Sequence, residues 1–278
     1  DSFAHTFRLL HGTSVCAVGF RVDDVERGLA RAKAFKAQTF RGQVGEGEME
    51  ISALRGIEGS LVYLVDDKAA NDLQWRTDFE LFDQESRDEA GLTRVDHLSY
   101  VLPATQLLSW QLFHRTVFGF DAAAENEIID PRGMMISQAV ISPEQSIRIP
   151  LTVSQAQDTQ PGRFLSEFRG GVQQIAFESH DIFATVDELQ ARGLPLLRIP
   201  QNYYDDLDAR YGLEEELLEA MRKRNILFDR NDEGDFFHAY TETFSGRFFF
   251  EIVERRGAYQ QFGAANAGIR LAAQAAQR

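Results

Sequence analysis

The chain repeats one pattern, in which alternating apolar and polar positions are followed by an amphipathic stretch. The alternation occurs three times, at residues 15–20, 95–100 and 172–177. The spacing of apolar positions predicts a strand in each run and a helix after it. The predicted helices cover residues 24–35, 106–118 and 182–192. Each repeat closes with β-rich runs, such as 59–65 and 246–253. The sequence therefore predicts three units of the order βαβββ.

A single unit of this kind forms a half-open sheet with one apolar face, so two units must pair to bury that face. Residues 93–256 contain a complete pair, whereas residues 13–66 contain one unit without a partner. We therefore expect an incomplete N-terminal barrel over residues 1–89, whose first module is missing. A complete two-module, metal-binding barrel with a C-terminal gate helix should follow over residues 90–278. The first part should expose apolar surface, which favours a homo-oligomer.

The acidic segment 67–89 is the expected crossing between the two barrels, and two further groups of polar residues are expected to be structural. An insertion lies between Pro200 and Asp235. Within it, residues 213–224 have acids at the start and bases at the end, which suits the dipole of a solvated helix. Four histidines are expected at surface or capping positions: His5, His11, His114 and His180.

Composition and charge narrow the class of protein. The 278 residues are 44% hydrophobic, which is enough for a sizeable core, and the formal net charge is −14. Such an acidic chain repels nucleic acids and anionic lipids, so we expect it to bind neither nucleic acid nor membrane. No apolar run approaches the roughly 20 residues that span a bilayer, and the N-terminus lacks the pattern of a signal peptide. We expect a cytoplasmic protein, in which Cys16 is a core residue.

Three polar residues are placed to converge in the paired units. His97 and Gln174 occupy the same position of the first strand in their units, and Glu251 interrupts an apolar strand, where an unpaired carboxylate is costly to bury. A divalent metal bound by these three residues would leave open positions for a small-molecule ligand. A buried His–Glu hydrogen-bonded pair capped by Gln174 fits the spacing equally well. The corresponding positions of the unpaired unit are apolar, Ala17 and Leu64, the latter counted from the glycine that opens the run.

Motifs spread along the chain resemble 4-hydroxyphenylpyruvate dioxygenase, of the vicinal oxygen chelate superfamily. They include Gly12 to Cys16, Val95 to Leu98, Arg148 to Leu151, Gly171 to Phe177, Arg224 to Leu227, and Phe249 to Arg255 with Phe262-Gly263 and Asn266. The resemblance runs from Asp1 to Leu271 and implies an α+β fold of βαβββ modules paired into cupped barrels. It also implies an Fe(II) site of two histidines and a glutamate. His97 and Glu251 match two of those ligands, and Gln174 stands in place of the second histidine.

Further departures from the family pattern fall in the implied substrate pocket. Thr152 replaces an asparagine, His238 a glutamine, and Ala267 the phenylalanine that follows Asn266, while Phe262 is retained. The lost ring removes an aromatic wall worth about 1 kcal/mol or more to a hydroxyphenyl substrate.

The glutamine in the ligand set changes the expected metal. Glutamine is a metal ligand in glyoxalase I of the same superfamily, so Gln174 can still bind. A site with this harder donor set favours Mg²⁺, Mn²⁺ or Zn²⁺ over Fe(II). His238 is the alternative: it could replace the missing imidazole, or it could form a hydrogen bond with a bound ligand.

Three functions remain open at this point. A genuine dioxygenase would oxidise an aromatic α-keto acid in tyrosine catabolism. A fused bacterial 3-dehydroshikimate dehydratase is a lyase that forms protocatechuate in quinate and shikimate catabolism. It contains a TIM barrel followed by a module that this chain resembles, and the dehydration would then be done by residues upstream. A non-catalytic binding or assembly module would keep the barrel without turnover. The altered pocket favours the second and third functions, and no catalytic residue is identified within the chain.

Overall fold

The structure, a computed structural model, describes residues 2–66, 77–80 and 89–277. The main helices are α1 (Phe3–His11), α2 (Val25–Ala34), α3 (Leu107–Phe113), α4 (Gln160–Phe168), α5 (Ile182–Ala191), α6 (Asn202–Tyr211), α7 (Glu215–Arg224) and α8 (Ala267–Ala276). A π-helical turn, His114–Phe118, continues α3. Most of the crossing segment expected between the two barrels lies outside the described residues. Within the described ranges, every helix is too short or too polar to span a membrane.

The strands form two sheets. They are β1 (Ala17–Arg21), β2 (Thr39–Phe40), β3 (Ala53–Arg55), β4 (Leu61–Val65), β5 (Leu92–Val101), β6 (Asp121–Asp130), β7 (Gly133–Ile141), β8 (Arg148–Ser154), β9 (Gly171–Ser179), β10 (Leu227–Asn231), β11 (Gly234–Tyr240) and β12 (Phe249–Gly257). The smaller sheet has the order β1-β4-β3-β2 and the larger one β10-β11-β12-β9-β5-β8-β7-β6.

The predicted βαβββ order occurs three times in these sheets. The first strand of each unit pairs in parallel with its last strand, β1 with β4, β5 with β8 and β9 with β12. The second and third units join through the antiparallel pair β5 and β9, which lies at the centre of the larger sheet. The insertion in the third unit forms α6 and α7, and the sequence had predicted only α7.

The first unit shares a hydrophobic core with the second. Phe20, Leu54 and Leu64 of the first unit belong to the same buried cluster as Val117 and Phe120 of the second. A separate core lies under the third unit, where α5, α6 and α7 pack against β10 to β12. The first unit, which has no partner unit in this chain, therefore packs against the second unit. More of its apolar surface is buried than the sequence suggested.

Helix α1 contacts the sheet of the first unit at β2 and β3. Its first residue, Phe3, lies 5.3 Å from the ring of Phe40 on β2, and the Arg55 guanidinium of β3 lies 5.4 Å from the Phe3 ring. The last turn of the helix exposes Leu9 by 69% and Leu10 by 58%. The exposed apolar surface of this part of the molecule therefore includes α1, which the sequence had not singled out.

The strand register corrects one predicted equivalence between units. The registers are Ala17 with Leu61, and Gln174 with Phe249. They place Tyr63, and not Leu64, at the first unit's counterpart of Glu251. The turn before β4 is one residue shorter than the turn before β12, so counting from the glycine was wrong by one position. A shift of one residue moves a strand side chain to the opposite face, and Leu64 indeed belongs to the shared core.

Two histidines that were expected at the surface or at helix caps are buried. His11 Nδ1 lies 3.2 Å from the Phe168 carbonyl oxygen. His114 Nδ1 lies 2.8 Å from the Trp110 carbonyl oxygen, and its ring stacks on Phe120. The prediction was wrong for both because an imidazole whose nitrogen has a carbonyl partner packs in a core much as a phenyl ring does. Burial lowers the pKa of His114 to about 4.

Candidate metal centre

Two β-bulges in the pair of β5 and β9 shape the candidate site. Asp96 is the extra residue on β5, because its neighbours Val95 and His97 pair with consecutive residues of β9. Gln173 is the extra residue on β9, because the consecutive residues Ser99 and Tyr100 pair with residues of β9 that are two apart. A bulge re-aims side chains that strict alternation would send to opposite faces. As a result Asp96 and His97 are both buried at the site, and Gln173 and Gln174 both line one cavity.

The structure brings His97, Gln174 and Glu251 together. Glu251 Oε2 lies 3.1 Å from His97 Nε2 and accepts a 2.6 Å hydrogen bond from Gln174 Nε2, which is 3.0 Å from the same histidine nitrogen. Ligand atoms at about 2.1 Å from a cation and at right angles to each other are about 3 Å apart. The spacing therefore suits a cation as well as the hydrogen-bonded group.

His238 holds the second oxygen of Glu251. Its Nδ1 lies 2.8 Å from Glu251 Oε1, and its Nε2 lies 3.0 Å from the side-chain nitrogen of Asn266. Because an amide nitrogen only donates, Nε2 accepts and the ring proton is assigned to Nδ1, which donates to Glu251. Asn266 is fixed in turn by the Phe228 carbonyl and the Tyr203 hydroxyl. His238 therefore positions the carboxylate from behind and has no free nitrogen for a ligand.

Asp96 and Arg255 orient His97 from the other side. His97 Nδ1 lies 2.7 Å from Asp96 Oδ1, and Arg255 donates to both oxygens of Asp96 at 2.8 and 2.9 Å. Burial raises the pKa of Asp96, but the hydrogen bonds from Arg255 and His97 outweigh it and hold the pKa well below its usual range. A carboxylate behind a histidine fixes the ring and its tautomer, as it does at many metal sites. His97 Nε2 is thereby directed to Gln174 and Glu251.

The electrostatics of the site favour charged forms despite burial. Burial raises the pKa of Glu251, but hydrogen bonds from His238 and His97 and the charge of His97 lower it to about 2. Burial lowers the pKa of His97, and the hydrogen bonds to Asp96 and Glu251 raise it overall. These hydrogen bonds thus offset the burial of His97, and a bound cation would compete with a proton for Nε2.

A cavity of about 390 Å³ lies in front of His97 and Gln174. Thr152, Phe262 and Ala267 line it, and the Phe262 ring packs edge-on against His97 at 5.2 Å. Glu251, His238 and Asn266 lie behind the wall. This volume falls within the range of cavities that bind small molecules.

Arg270 lines the same cavity, and the sequence reasoning had missed it. It lies one turn after Ala267 on α8, and residues three apart share a helix face. This three-residue spacing from Ala267 is the signal by which the sequence could have identified Arg270 as a cavity residue. Asp96 and Arg255 were likewise not predicted from the sequence, because their roles depend on the bulge in β5.

The described residues contain no group of three His, Cys, Asp or Glu side chains placed to share a cation. A cation at this site would therefore need the side-chain oxygen of Gln174 as its third protein ligand. The amide can present either its oxygen or its nitrogen to the site by turning over. The donor set of an imidazole, a carboxylate and an amide fits a divalent cation in chemistry as well as in spacing.

The sequence matches two family models. Residues 1–80 match the N-terminal domain of hydroxyphenylpyruvate dioxygenase, and residues 94–211 match the glyoxalase, bleomycin resistance protein and dioxygenase superfamily. The chain is 35% identical to a 4-hydroxyphenylpyruvate dioxygenase of Pseudomonas aeruginosa, over 94% of this chain and 74% of that protein. These matches agree with the vicinal oxygen chelate fold that the sequence predicted.

Two relatives are similar over the whole chain. The chain is 45% identical to a 3-dehydroshikimate dehydratase of Pseudomonas putida and spans 44% of that protein's length. A solved structure described as a fusion of a xylose isomerase-like TIM barrel and 4-hydroxyphenylpyruvate dioxygenase superimposes with a TM-score of 0.85 and 43% identity. It too is matched over 100% of this chain and 44% of its own.

Proposed function

The chain belongs to the 4-hydroxyphenylpyruvate dioxygenase family, and from this premise we propose that it is the dioxygenase-like module of a fused 3-dehydroshikimate dehydratase. The observation that carries the proposal is the similarity to the dehydratase, 45% over the whole chain, against 35% to the dioxygenase. In this proposal an upstream TIM barrel dehydrates 3-dehydroshikimate to protocatechuate, in quinate and shikimate catabolism. The lyase chemistry would then lie outside this chain.

Within the module, His97, Gln174 and Glu251 would hold Mg²⁺, Mn²⁺ or Zn²⁺ in preference to Fe(II). The support is their mutual spacing of 2.6 to 3.1 Å and the buried carboxylate that requires a positive partner. His97 would offer Nε2 as a neutral imidazole, while Asp96 holds His97 and His238 holds the Glu251 carboxylate in place. A cation there would supply a Lewis acid for oxygen atoms of a bound small molecule.

The alternative is a working dioxygenase, and the wall of the cavity argues against it. Ala267 provides no ring for a hydroxyphenyl group, and Arg270 adds a guanidinium to the same helix face. A pocket for an aromatic ring is usually built from apolar and aromatic side chains. Apolar side chains such as Ile128, Met135 and Phe262 also line this cavity, but they alternate with many hydroxyl and amide groups that a hydroxyphenyl ring would leave partly unpaired: Ser99, Asn126, Ser137, Thr152, Gln160, Gln173, Gln174, Gln260 and Gln261.

A chimera would test the module proposal. The chain would replace the matching 44% of the Pseudomonas putida dehydratase, and the formation of protocatechuate from 3-dehydroshikimate would be measured. We expect an active chimera and no dehydration by the chain alone. The matched control carries the corresponding part of the 35%-identical dioxygenase and should be much less active. A folded but inactive chimera, or dehydration by the chain alone, would contradict the proposal.

A further inference from the structure

The cavity wall contains a buried cation that has no carboxylate partner among the residues that the structure describes. Arg270 is only 8% exposed and lines the cavity from α8. Among the described residues its hydrogen-bond partner is the side-chain oxygen of Gln274, 2.9 Å from Nη1, and no carboxylate of these residues lies within ion-pair distance. A guanidinium has five N–H donors, so the described part of the chain uses only a small share of the donor capacity of Arg270.

The nearby arginines behind His97 show how this protein otherwise buries such a group. Arg255 donates to both oxygens of Asp96, and Arg148 lies 3.6 Å from the same carboxylate. Arg270 instead lies over the rings of Tyr240 and Phe249, at 5.6 and 5.3 Å from their centroids. The rings stabilise the positive charge on their faces but accept none of its N–H groups in the guanidinium plane.

The charge of the cavity is opposite to that of the chain. The formal net charge is −14, yet Arg270 is the permanently charged residue among the described residues that line the cavity. The carboxylate of Glu251 lies behind the wall and does not line the cavity. A concave site with positive charge concentrates small anions from solution.

The remaining wall selects for hydroxyl groups on that anion. Hydroxyl and amide side chains of Ser99, Asn126, Ser137 and Gln173 face the cavity, and each can both donate and accept. Ala267 lies one turn before Arg270 on the same helix face and leaves space in front of it. A ligand that carries hydroxyl groups can pair with these side chains, whereas an apolar ring in front of them would leave them unpaired.

We propose that the cavity binds a small hydroxylated carboxylic acid, whose carboxylate pairs with Arg270 and whose hydroxyl groups contact the hydroxyl and amide side chains. Arginine and carboxylate can form two parallel N–H···O bonds, which fixes the orientation of the ligand. The inference rests on the proposed function in that the cavity is a ligand site of the module, but it does not depend on a bound cation.

Calorimetric titration with 3-dehydroshikimate and with its methyl ester tests this assignment, because the ester keeps the shape and lacks the charge. In the presence of EDTA, the chain should bind the acid at least tenfold more tightly than the ester. Arg270→Leu should lose that preference and bind acid and ester equally, whereas Arg270→Lys should keep part of it. Arg132→Leu, which removes an exposed arginine in the turn after β6, is the matched control and should behave as the parent.

Equal binding of acid and ester by the parent, no binding of either, or an undiminished preference in Arg270→Leu would overturn the proposal. The comparison of acid with ester in the parent remains decisive if the leucine variant fails to fold. Mn²⁺ titration of Arg270→Leu should match the parent, because Arg270 contacts none of the three candidate ligands. Failure of the metal site and failure of the carboxylate site therefore give different results.

Discussion

At the scale of single residues, the candidate site depends on which groups can hold a buried carboxylate. His97 and Gln174 meet one oxygen of Glu251, and His238 meets the other. Their convergence could be predicted because His97 and Gln174 hold equivalent positions and Glu251 interrupts an apolar strand. The place of His238 could not, because the sequence does not show that Asn266 occupies its second nitrogen.

The substitutions at Gln174 and Ala267 predict a poor dioxygenase. We expect little or no oxygen consumption with 4-hydroxyphenylpyruvate and Fe(II), because Gln174 offers an amide where the family resemblance implies an imidazole ligand, and Ala267 offers no ring where it implies a phenylalanine. An oxygen electrode measures the rate for the parent, for Gln174→His with Ala267→Phe, and for the exposed control His180→Phe. The double variant should be the most active of the three. Turnover by the parent at about 1 s⁻¹ or more, a rate typical of enzymes, would contradict this prediction.

At the scale of elements, the helix of the second unit shows the limit of periodicity. The apolar pattern predicted one helix over residues 106–118, and the structure instead ends α3 at Phe113 and continues with a π-helical turn. That turn brings His114 among the rings of Phe113, Phe118 and Phe120. The β-bulges of β5 and β9 were likewise hidden from the sequence, since alternation alone cannot show an extra residue.

The buried His114 predicts a pH-dependent stability. Burial lowers its pKa from 6.5 to about 4, so the unfolded chain binds a proton more readily than the folded one between these values. The stability that the buried, neutral His114 contributes is complete above about pH 6.5 and is lost as pH falls towards 4. The loss amounts to at most about 3 kcal/mol of unfolding free energy. Urea unfolding at pH 7 and pH 5 measures it.

His114→Phe removes the titrating group and should lose less unfolding free energy than the parent over this interval. The same substitution at exposed His180 should leave the parent's pH dependence unchanged. An identical pH dependence for the parent and His114→Phe would show that His114 is not responsible.

At the scale of the whole molecule, three repeated units account for most of the architecture. The repeat predicted the order of strands and the pairing of the second and third units, because each unit has an apolar face that must be covered. The sequence did not show that the first unit shares a core with the second, through residues such as Phe20 and Phe120. That contact joins elements far apart in the chain, which local patterns do not report.

We predict that the chain self-associates, because α1 exposes Leu9 and Leu10 beside the first unit. Sedimentation velocity at several concentrations should show dimers or larger species. Leu9→Ser with Leu10→Ser should shift the distribution towards monomer, while Leu108→Ser, an exposed leucine on α3, should not. A monodisperse monomer of the parent at all concentrations would refute the prediction.

The most direct test of the account is a calorimetric titration with Mn²⁺ of the parent and of Glu251→Gln. Glu178→Gln, a carboxylate on β9 that pairs with Arg94, is the matched control. We predict one ion per chain for the parent and the control, and at least a hundredfold weaker binding for Glu251→Gln. Thermal unfolding provides the second readout, since an ion at 100 times its Kd should stabilise the parent by about 2.7 kcal/mol. If Glu251→Gln bound Mn²⁺ as tightly as the parent, the three residues would form a buried hydrogen-bonded group and not a metal centre.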